Sequence, residues 1–222
     1  MIRGILILVV YHFSLLIILF TAAGRTDWLM GWLVLGIYAL ISFTSLFSLD
    51  RDLVDERVMM GGRGVSTFDR AVASLSFLFL FPLTLFVTGL DHGRYQWSPE
   101  FPYWLQGIGL LIFIAGNALG RWAMNSNEYF STFLRIQDER DHAVVRTGPY
   151  KYIRHPGYAG AILAALALPI ALGSLWALIP ALIGAVGFVI RTLHEDRYLE
   201  AELDGYSEYA RQVQFRLIPY VW

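Results

Sequence analysis

Long apolar runs separated by clusters of charge decide what this chain can fold into. Runs of spanning length lie at about 5–22, 28–49, 71–90 and 101–120, and a longer block covers 157–190. A hydrocarbon core about 30 Å thick needs about 20 apolar residues in a helix. Backbone polar groups inside that core have to be satisfied within the segment itself, which favours helices for continuous apolar runs. The 157–190 block is too long for one span and is broken at Gly173-Ser174, so it reads as two tightly connected helices, 157–172 and 174–190. The chain is 56% hydrophobic with 16% charged residues, against about 25% charged in a soluble domain. The expectation is an all-α, polytopic integral-membrane bundle of about six transmembrane helices. It forms one domain, 1–222, in which four helices fill 1–120 and the remainder is a polar segment, the 157–190 hairpin and a tail.

Pro82, Pro169 and Pro180 lie inside these runs and are expected to kink them. Arg3, an apolar core and Thr21-Ala22-Ala23 could also pass for a cleavable signal peptide; a retained helix is favoured because it gives six even spans. Basic residues orient the bundle. Arg3, the 49–70 loop, the 121–156 segment and the tail (Arg191, Arg197, Arg211, Arg216) fall on one side, and only Arg25 and Arg94 on the other. Both termini are therefore expected in the cytoplasm. The chain has no cysteine, which excludes disulfides, thiolate metal sites and a cysteine nucleophile. A formal charge of −1 gives no reason to expect a nucleic-acid partner.

Within the 49–70 loop, mixed charge suggests a short amphipathic surface helix ahead of Gly61-Gly62-Arg63-Gly64. That glycine cluster is not GxGxxG and reads as a turn rather than a phosphate cradle. His12 and Asn117 are isolated polar residues in apolar helices, read first as packing or interhelical hydrogen-bonding groups. Helix four is expected to end at Asn125-Ser126-Asn127. Ile136, Val144 and Val145 could form a short extended piece beyond it.

The stretch Thr147–Gly160, TGPYKYIRHPGYAG, has an unusual composition for a membrane loop. Proline fits the first turn of a helix because its φ is already helical and its N–H is not needed there. Pro156 therefore marks a helix start, where free N–H groups and the helix dipole suit an anion. Arg154 adds a fixed positive charge, His155 a polar ring, and Tyr150, Tyr152 and Tyr158 aromatic faces with hydroxyls. The competing reading is an interfacial belt of Lys, Arg and Tyr anchors. Further on, Arg191, Glu195 and Leu199 recur every four residues and share a helix face. An Arg191–Glu195 surface pair would explain them without any ligand; a face turned back onto Arg154-His155-Pro156 would make a site.

This stretch resembles the RHPxY region of the isoprenylcysteine carboxyl methyltransferase family and its bacterial relatives, integral-membrane enzymes that use S-adenosylmethionine. The resemblance continues through the hairpin to Arg191, Glu195-Asp196, Leu199, Gly205, Tyr209 and Arg216-Leu217-Ile218-Pro219, covering roughly Leu119 to Pro219. It implies that 121–222 is a cofactor-binding half on the cytoplasmic side of a prokaryotic inner membrane. The implied cofactor contacts are Gln137, His142, Ala143, Val144, Val145, Tyr150, His155, Pro156, Gly157, Tyr158 and Glu195. Arg191 matches an arginine associated with the methyl acceptor, with Arg154 beside it. Asp196 departs from the family's usual second glutamate, so no role is carried over to it. The implied activity is methyl transfer to a lipophilic acceptor within the membrane, of which a carboxylate is one form, with membrane lipids around it and no metal. A metal set built from His142, His155, His194 and Glu195 would lack any compact ligand spacing.

Two other classes stay open on the sequence. RHPxY and the ending Arg216-Leu217-Ile218-Pro219-Tyr220 also resemble NADPH-dependent membrane sterol reductases, although Glu195-Asp196-x-x-Leu is closer to the methyltransferases. A non-catalytic adaptor that kept the fold is the third. The acceptor atom, the oligomeric state and regulation are not legible in the sequence.

Overall fold

The computed structural model describes residues 2–47 and 65–222. The surface helix expected in the 49–70 loop and the Gly61-Gly62-Arg63-Gly64 turn lie outside the described residues. Six long helices follow in order: α1 (Ile2–Ala23), α2 (Leu29–Phe47), α3 (Thr67–Tyr95), α4 (Tyr103–Ser126), α5 (Pro156–Leu172) and α6 (Leu178–Glu202). A short α7 (Tyr206–Gln212) lies in the tail. Most of α1 together with α3, α4 and α6 are long and apolar enough to cross a membrane, while Leu29–Thr44 and Pro156–Leu172 are shorter apolar helices. Large apolar side chains such as Leu6, Phe13, Leu40, Leu111 and Leu182 stand exposed on the outside. A contiguous apolar exterior of this kind suits hydrocarbon rather than water.

The prolines act differently from one another. Pro82 sits in a π-helical turn, Phe79–Leu83, within α3, and Thr84 Oγ1 donates to the Phe79 carbonyl at 2.8 Å. A proline removes one helical donor, and a π turn with a hydroxyl back-bond re-satisfies the ladder. Pro180 falls in the first turn of α6, which starts at Leu178 rather than 174. No N–H is needed there, so the kink expected at Pro180 has no cause. Gly173, with φ of +73°, caps α5 as its C-terminal left-handed residue.

The helix pair that carries the site is packed almost backbone to backbone. A Cβ on Gly116 would lie 2.6 Å from Ala164 N, and one on Gly160 would lie 2.5 Å from Gly116 O and 2.7 Å from Gly120 N. Gly116 and Gly120 form a GxxxG step, the small-residue pattern that lets apolar helices approach closely. The order of these contacts along each helix makes α4 and α5 antiparallel, which brings the end of α4 beside the start of α5. In the same way α6 runs antiparallel to α3, with Gly184 against Leu80 and Gly187 against Ser76. The late residues of α6 thus meet the first turn of α3.

At this end of the bundle the connection 127–155 and the tail fold over the helix termini. No strand forms among the described residues, so the extended piece expected at Ile136 and Val144-Val145 is irregular chain. Its side chains pack with Ala123, Tyr150, Leu203, Tyr206 and Tyr209 in a second apolar cluster. Gly160→Val is expected to push α4 and α5 apart and destabilise the protein by about 1–3 kcal/mol or more. Gly107→Ala, at a position with open space around it, should leave the melting temperature in detergent nearly unchanged.

Candidate functional site

The sequence Arg154-His155-Pro156 is locked in place by a carboxylate from α6. Asp196 is 2% exposed. Its Oδ1 accepts from Arg154 Nε at 2.8 Å and Tyr206 OH at 2.8 Å, and lies 3.1 Å from His155 Nε2. Its Oδ2 accepts from Arg154 Nη2 at 2.7 Å and Arg216 Nε at 2.8 Å. Arg154 Nη1 then donates to the carbonyls of Val213 at 2.8 Å and Gln214 at 3.1 Å. The backbone joins in, with Arg154 N to Phe215 O and His155 N to Arg216 O, both 2.9 Å. A carboxylate buried with this many donors is held ionised, because each donor stabilises the charged form. The same contacts commit every face of the Arg154 fork. Arg154, expected to offer its charge to a ligand, is instead the staple joining α5, α6 and the tail.

Beside this knot lies a cleft whose empty space, mouth included, is about 790 Å³. Its wall includes Asn127, Tyr129, Phe130 and Phe133 from the connection, His142–Val145, Tyr150, Gly157 and Tyr158 from the start of α5, and Arg191, Glu195 and Leu199 from α6. Arg154 and His155 reach its edge. Most of the residues implied by the resemblance therefore converge here. Pro156 and Gln137 do not line the cleft. Gln137 is fully buried, donating to the Tyr129 carbonyl at 2.7 Å and accepting from Arg140 at 3.0 Å. It braces the 127–142 loop rather than meeting a ligand. Tyr152 is exposed, and His194 lies against Phe68, away from the cleft wall.

Glu195 is the acidic group of the cleft, with a side chain 21% exposed. One oxygen accepts from Tyr158 OH; the other is 3.7 Å from His155 Nδ1, beyond hydrogen-bond length. Carboxylate Glu195, the aromatic faces of Tyr129, Phe130 and Phe133, and apolar Val144, Val145 and Leu199 make a donor set that suits a cationic, partly aromatic ligand. Gly157 matters sterically: a Cβ there would sit 2.7 Å from the Phe130 ring. His142 stacks on Tyr129 with ring centroids 4.3 Å apart. Burial and the nearby Arg135 charge lower its pKa below the ordinary histidine value, keeping it neutral.

The ion pair of Arg191 is with Asp69 rather than with Glu195, the partner that would have explained this helix face without a ligand. Arg191 Nε donates to Asp69 Oδ1 at 3.0 Å, from the first turn of α3, and Nη2 to the Thr132 carbonyl at 2.6 Å. Its guanidinium carbon lies 5.2 Å from the centre of the Tyr158 ring. Two residues central to this site, Asp69 and Tyr206, were not signalled by the sequence. Asp69 falls at the end of the 49–70 loop, for which only a surface helix and a glycine turn are expected, and nothing local in a sequence records a partner 122 positions away. Ser66 and Asp69 at helix-capping spacing were the available clue.

Burial pulls the His155 pKa down, but the hydrogen bond to Asp196 and the nearby Glu195 carboxylate outweigh it and leave the value raised above 6.5. A raised folded-state pKa gives stability that is complete below the unfolded value and lost as pH rises through the folded value. Melting temperature in detergent should therefore contain a component that falls as pH climbs above neutrality, and His155→Gln should flatten it. Asp196→Ala would strand two arginines and is expected to cost about 3–5 kcal/mol, read as a loss of the cooperative melt.

A family model described as the isoprenylcysteine carboxyl methyltransferase family matches residues 108–201. Protein-S-isoprenylcysteine O-methyltransferase B of Arabidopsis thaliana is 28% identical over 114 residues, 50% of this chain and 58% of that one. The Tribolium castaneum protein-S-isoprenylcysteine O-methyltransferase is 34% identical over 59 residues, 26% of this chain and 21% of that one. A probable protein-S-isoprenylcysteine O-methyltransferase of Oryza sativa subsp. indica is 25% identical over 115 residues and 60% of its length. The chain thus spans less than two thirds of the curated relatives it matches. The solved structure of the eukaryotic intramembrane Ras methyltransferase ICMT aligns with a TM-score of 0.48 at 18% identity, over 100% of this chain and 87% of that one. Residues 108–201, which supply most of α4, the Arg154-His155-Pro156 turn, α5 and most of α6, are the part of this chain that is similar to the isoprenylcysteine carboxyl methyltransferase family.

Proposed function

We propose that this protein transfers a methyl group from S-adenosylmethionine to a lipophilic acceptor carried in the membrane. One observation carries the reading: the family-matched stretch folds so that Glu195, Tyr158, Tyr150 and His142–Val145 meet in a single cleft at the polar end of the helices. With six spans and the basic segments placed by the positive-inside rule, that end faces the cytoplasm. A cytosolic cofactor can then enter while the acceptor arrives laterally between helices. The relatives act, by their names, on S-isoprenylcysteine, and a carboxylate on a prenyl-type chain is the acceptor class that fits Arg191 best.

The cleft chemistry fits the cofactor. Glu195 presents an oxygen for its ammonium or ribose hydroxyls, and the aromatic and apolar walls suit adenine and the sulfonium. When bound, the cofactor supplies an electrophilic methyl carbon. The chain's own residues orient and exclude water. Tyr158 holds Glu195 by its hydroxyl and covers the Arg191 guanidinium with its ring. Arg191 Nη1, the part of the fork not committed to Asp69 or Thr132, can hold an acceptor carboxylate. A carboxylate is already deprotonated and needs no general base. Alignment of two reactants can supply up to about 7–11 kcal/mol of a barrier, so positioning is sufficient as the principal device.

Thermal unfolding of the detergent-purified protein tests the cofactor. S-Adenosylhomocysteine at a hundredfold excess over Kd should stabilise it by about 2.7 kcal/mol, with Glu195→Ala abolishing most of the shift. A shift with NADPH and none with S-adenosylhomocysteine would replace this reading with a reductase.

A further inference from the structure

The only long-range ion pair between the N-terminal helices and the cleft, among the described residues, is Asp69–Arg191. It is buried on both sides, with side chains 1% and 2% exposed. Ser66 already caps α3, its Oγ accepting from Asp69 N at 3.0 Å. In a capping box the residue at the Asp69 position would reach back to the Ser66 N–H; here its carboxylate is engaged elsewhere. It reaches out to α6 and to the connection: Oδ1 to Arg191 Nε at 3.0 Å, Oδ2 to Arg191 Nη2 at 3.4 Å, and Oδ2 to Leu134 N at 2.9 Å. The Thr132 carbonyl takes Nη2 from the other side, and the Tyr158 ring lies over the guanidinium.

Together these contacts fix the plane of the Arg191 fork. Nε and Nη2 are tied to protein, Nη1 makes no hydrogen bond among the described residues, and Arg191 lines the cleft. Asp69 does not line the cleft; whatever it does for a ligand passes through Arg191. An arginine recognises a carboxylate through the direction of its planar fork rather than through charge alone. We propose that Asp69 is the positioning residue that aims Arg191 at the acceptor carboxylate, so that α3 sets acceptor binding in a cleft otherwise built by the C-terminal half. This rests on the methyl-transfer reading.

Asp69 makes no hydrogen bond or ion pair with Glu195 and is linked to it only through Arg191 and Tyr158, so acceptor and cofactor effects can be measured apart. Asp69→Asn preserves shape and can still accept from Leu134 N, but removes the charge that holds Arg191. With N-acetyl-S-farnesylcysteine as the acceptor probe and labelled S-adenosylmethionine as donor, Asp69→Asn should lower kcat/KM for the probe by about ten- to a hundredfold, since small misplacements of a positioning group cost that much. Most of the loss should appear in the probe's KM, while S-adenosylhomocysteine affinity stays within about threefold, because Asp69 does not line the cleft and coupling is weaker between residues that share no direct contact. In an Arg191→Gln background the added Asp69→Asn change should have little further effect, because the two residues act as one unit. Equal losses of cofactor affinity and turnover, or independent effects of the two substitutions, would mean that Asp69 is a structural tether only and would overturn the proposal.

A readout free of turnover guards the assignment. In ¹⁵N spectra, the Arg191 Nε–H, identified by its disappearance in Arg191→Lys, should be protected from exchange in the native chain and lose that protection in Asp69→Asn. If the native protein binds S-adenosylhomocysteine but ignores the probe, the carboxylate acceptor falls and this proposal with it; retained protection of the Arg191 Nε–H in Asp69→Asn would overturn it as well, because Asp69 would then not be what holds the fork. Failure of the native protein to bind S-adenosylhomocysteine overturns the methyl-transfer reading and this inference together.

Discussion

The Asp196 carboxylate is the interaction on which the rest of this end of the molecule depends. It gathers donors from three separate stretches: Arg154 and His155 before α5, Tyr206 at the start of α7, and Arg216 near the end of the tail. Each of those chains would otherwise be free to move over the membrane surface. An ionised carboxylate taken out of water is unfavourable unless its lone pairs are filled, and here they are filled by two arginines, a histidine and a phenol. The charge that makes burial unfavourable also sets the geometry, since only one arrangement of the three stretches satisfies it.

That knot frees its neighbour. Adjacent residues on a helix point in different directions, about 100° apart, so Asp196 turns into the protein while Glu195 turns to the cleft. Two acidic residues in succession thus divide into one that ties the tail to the helices and one that lines the cleft. A second division occurs between the arginines. Arg154 is wholly committed to Asp196 and tail carbonyls, whereas Arg191 keeps one end of its fork open. Charge alone does not distinguish the two; their hydrogen bonds do.

The membrane architecture explains why such polar construction sits where it does. Helices α4 and α5 come within backbone contact through Gly116, Gly120 and Gly160, so the RHPxY turn is delivered close to the end of α4 and the connection beyond it. The apolar exterior holds the bundle in hydrocarbon, and polar residues collect at the end where water and soluble ligands are available. The opposite end is closed by a smaller knot in which Asp91 accepts from Ser98 and Ser174, tying the α3–α4 loop to the α5–α6 turn. Rigid ends and close-packed helices leave the cleft as the place where a ligand can change the structure.

The sequence by itself determined the class of fold, the helix start at Pro156, the break at Gly173 and the stretch that carries the family likeness. These are properties of local chemistry: spanning apolar length, the fixed φ of proline, the left-handed freedom of glycine and residue order within a motif. It also named most of the cleft wall, because Tyr150, Gly157, Tyr158, Glu195 and His142–Val145 lie in that motif-bearing half. It did not show the protein partners that hold Arg154, Gln137 and Arg191, and it left Asp196 and Asp69 without roles. What decided those was tertiary structure alone. A buried charge is satisfied by whichever donor the packing of helices brings within about 3 Å, and that choice, Asp69 for Arg191 or Tyr206 for Asp196, is made by the crossing of α3, α6 and the tail rather than by any spacing along the chain.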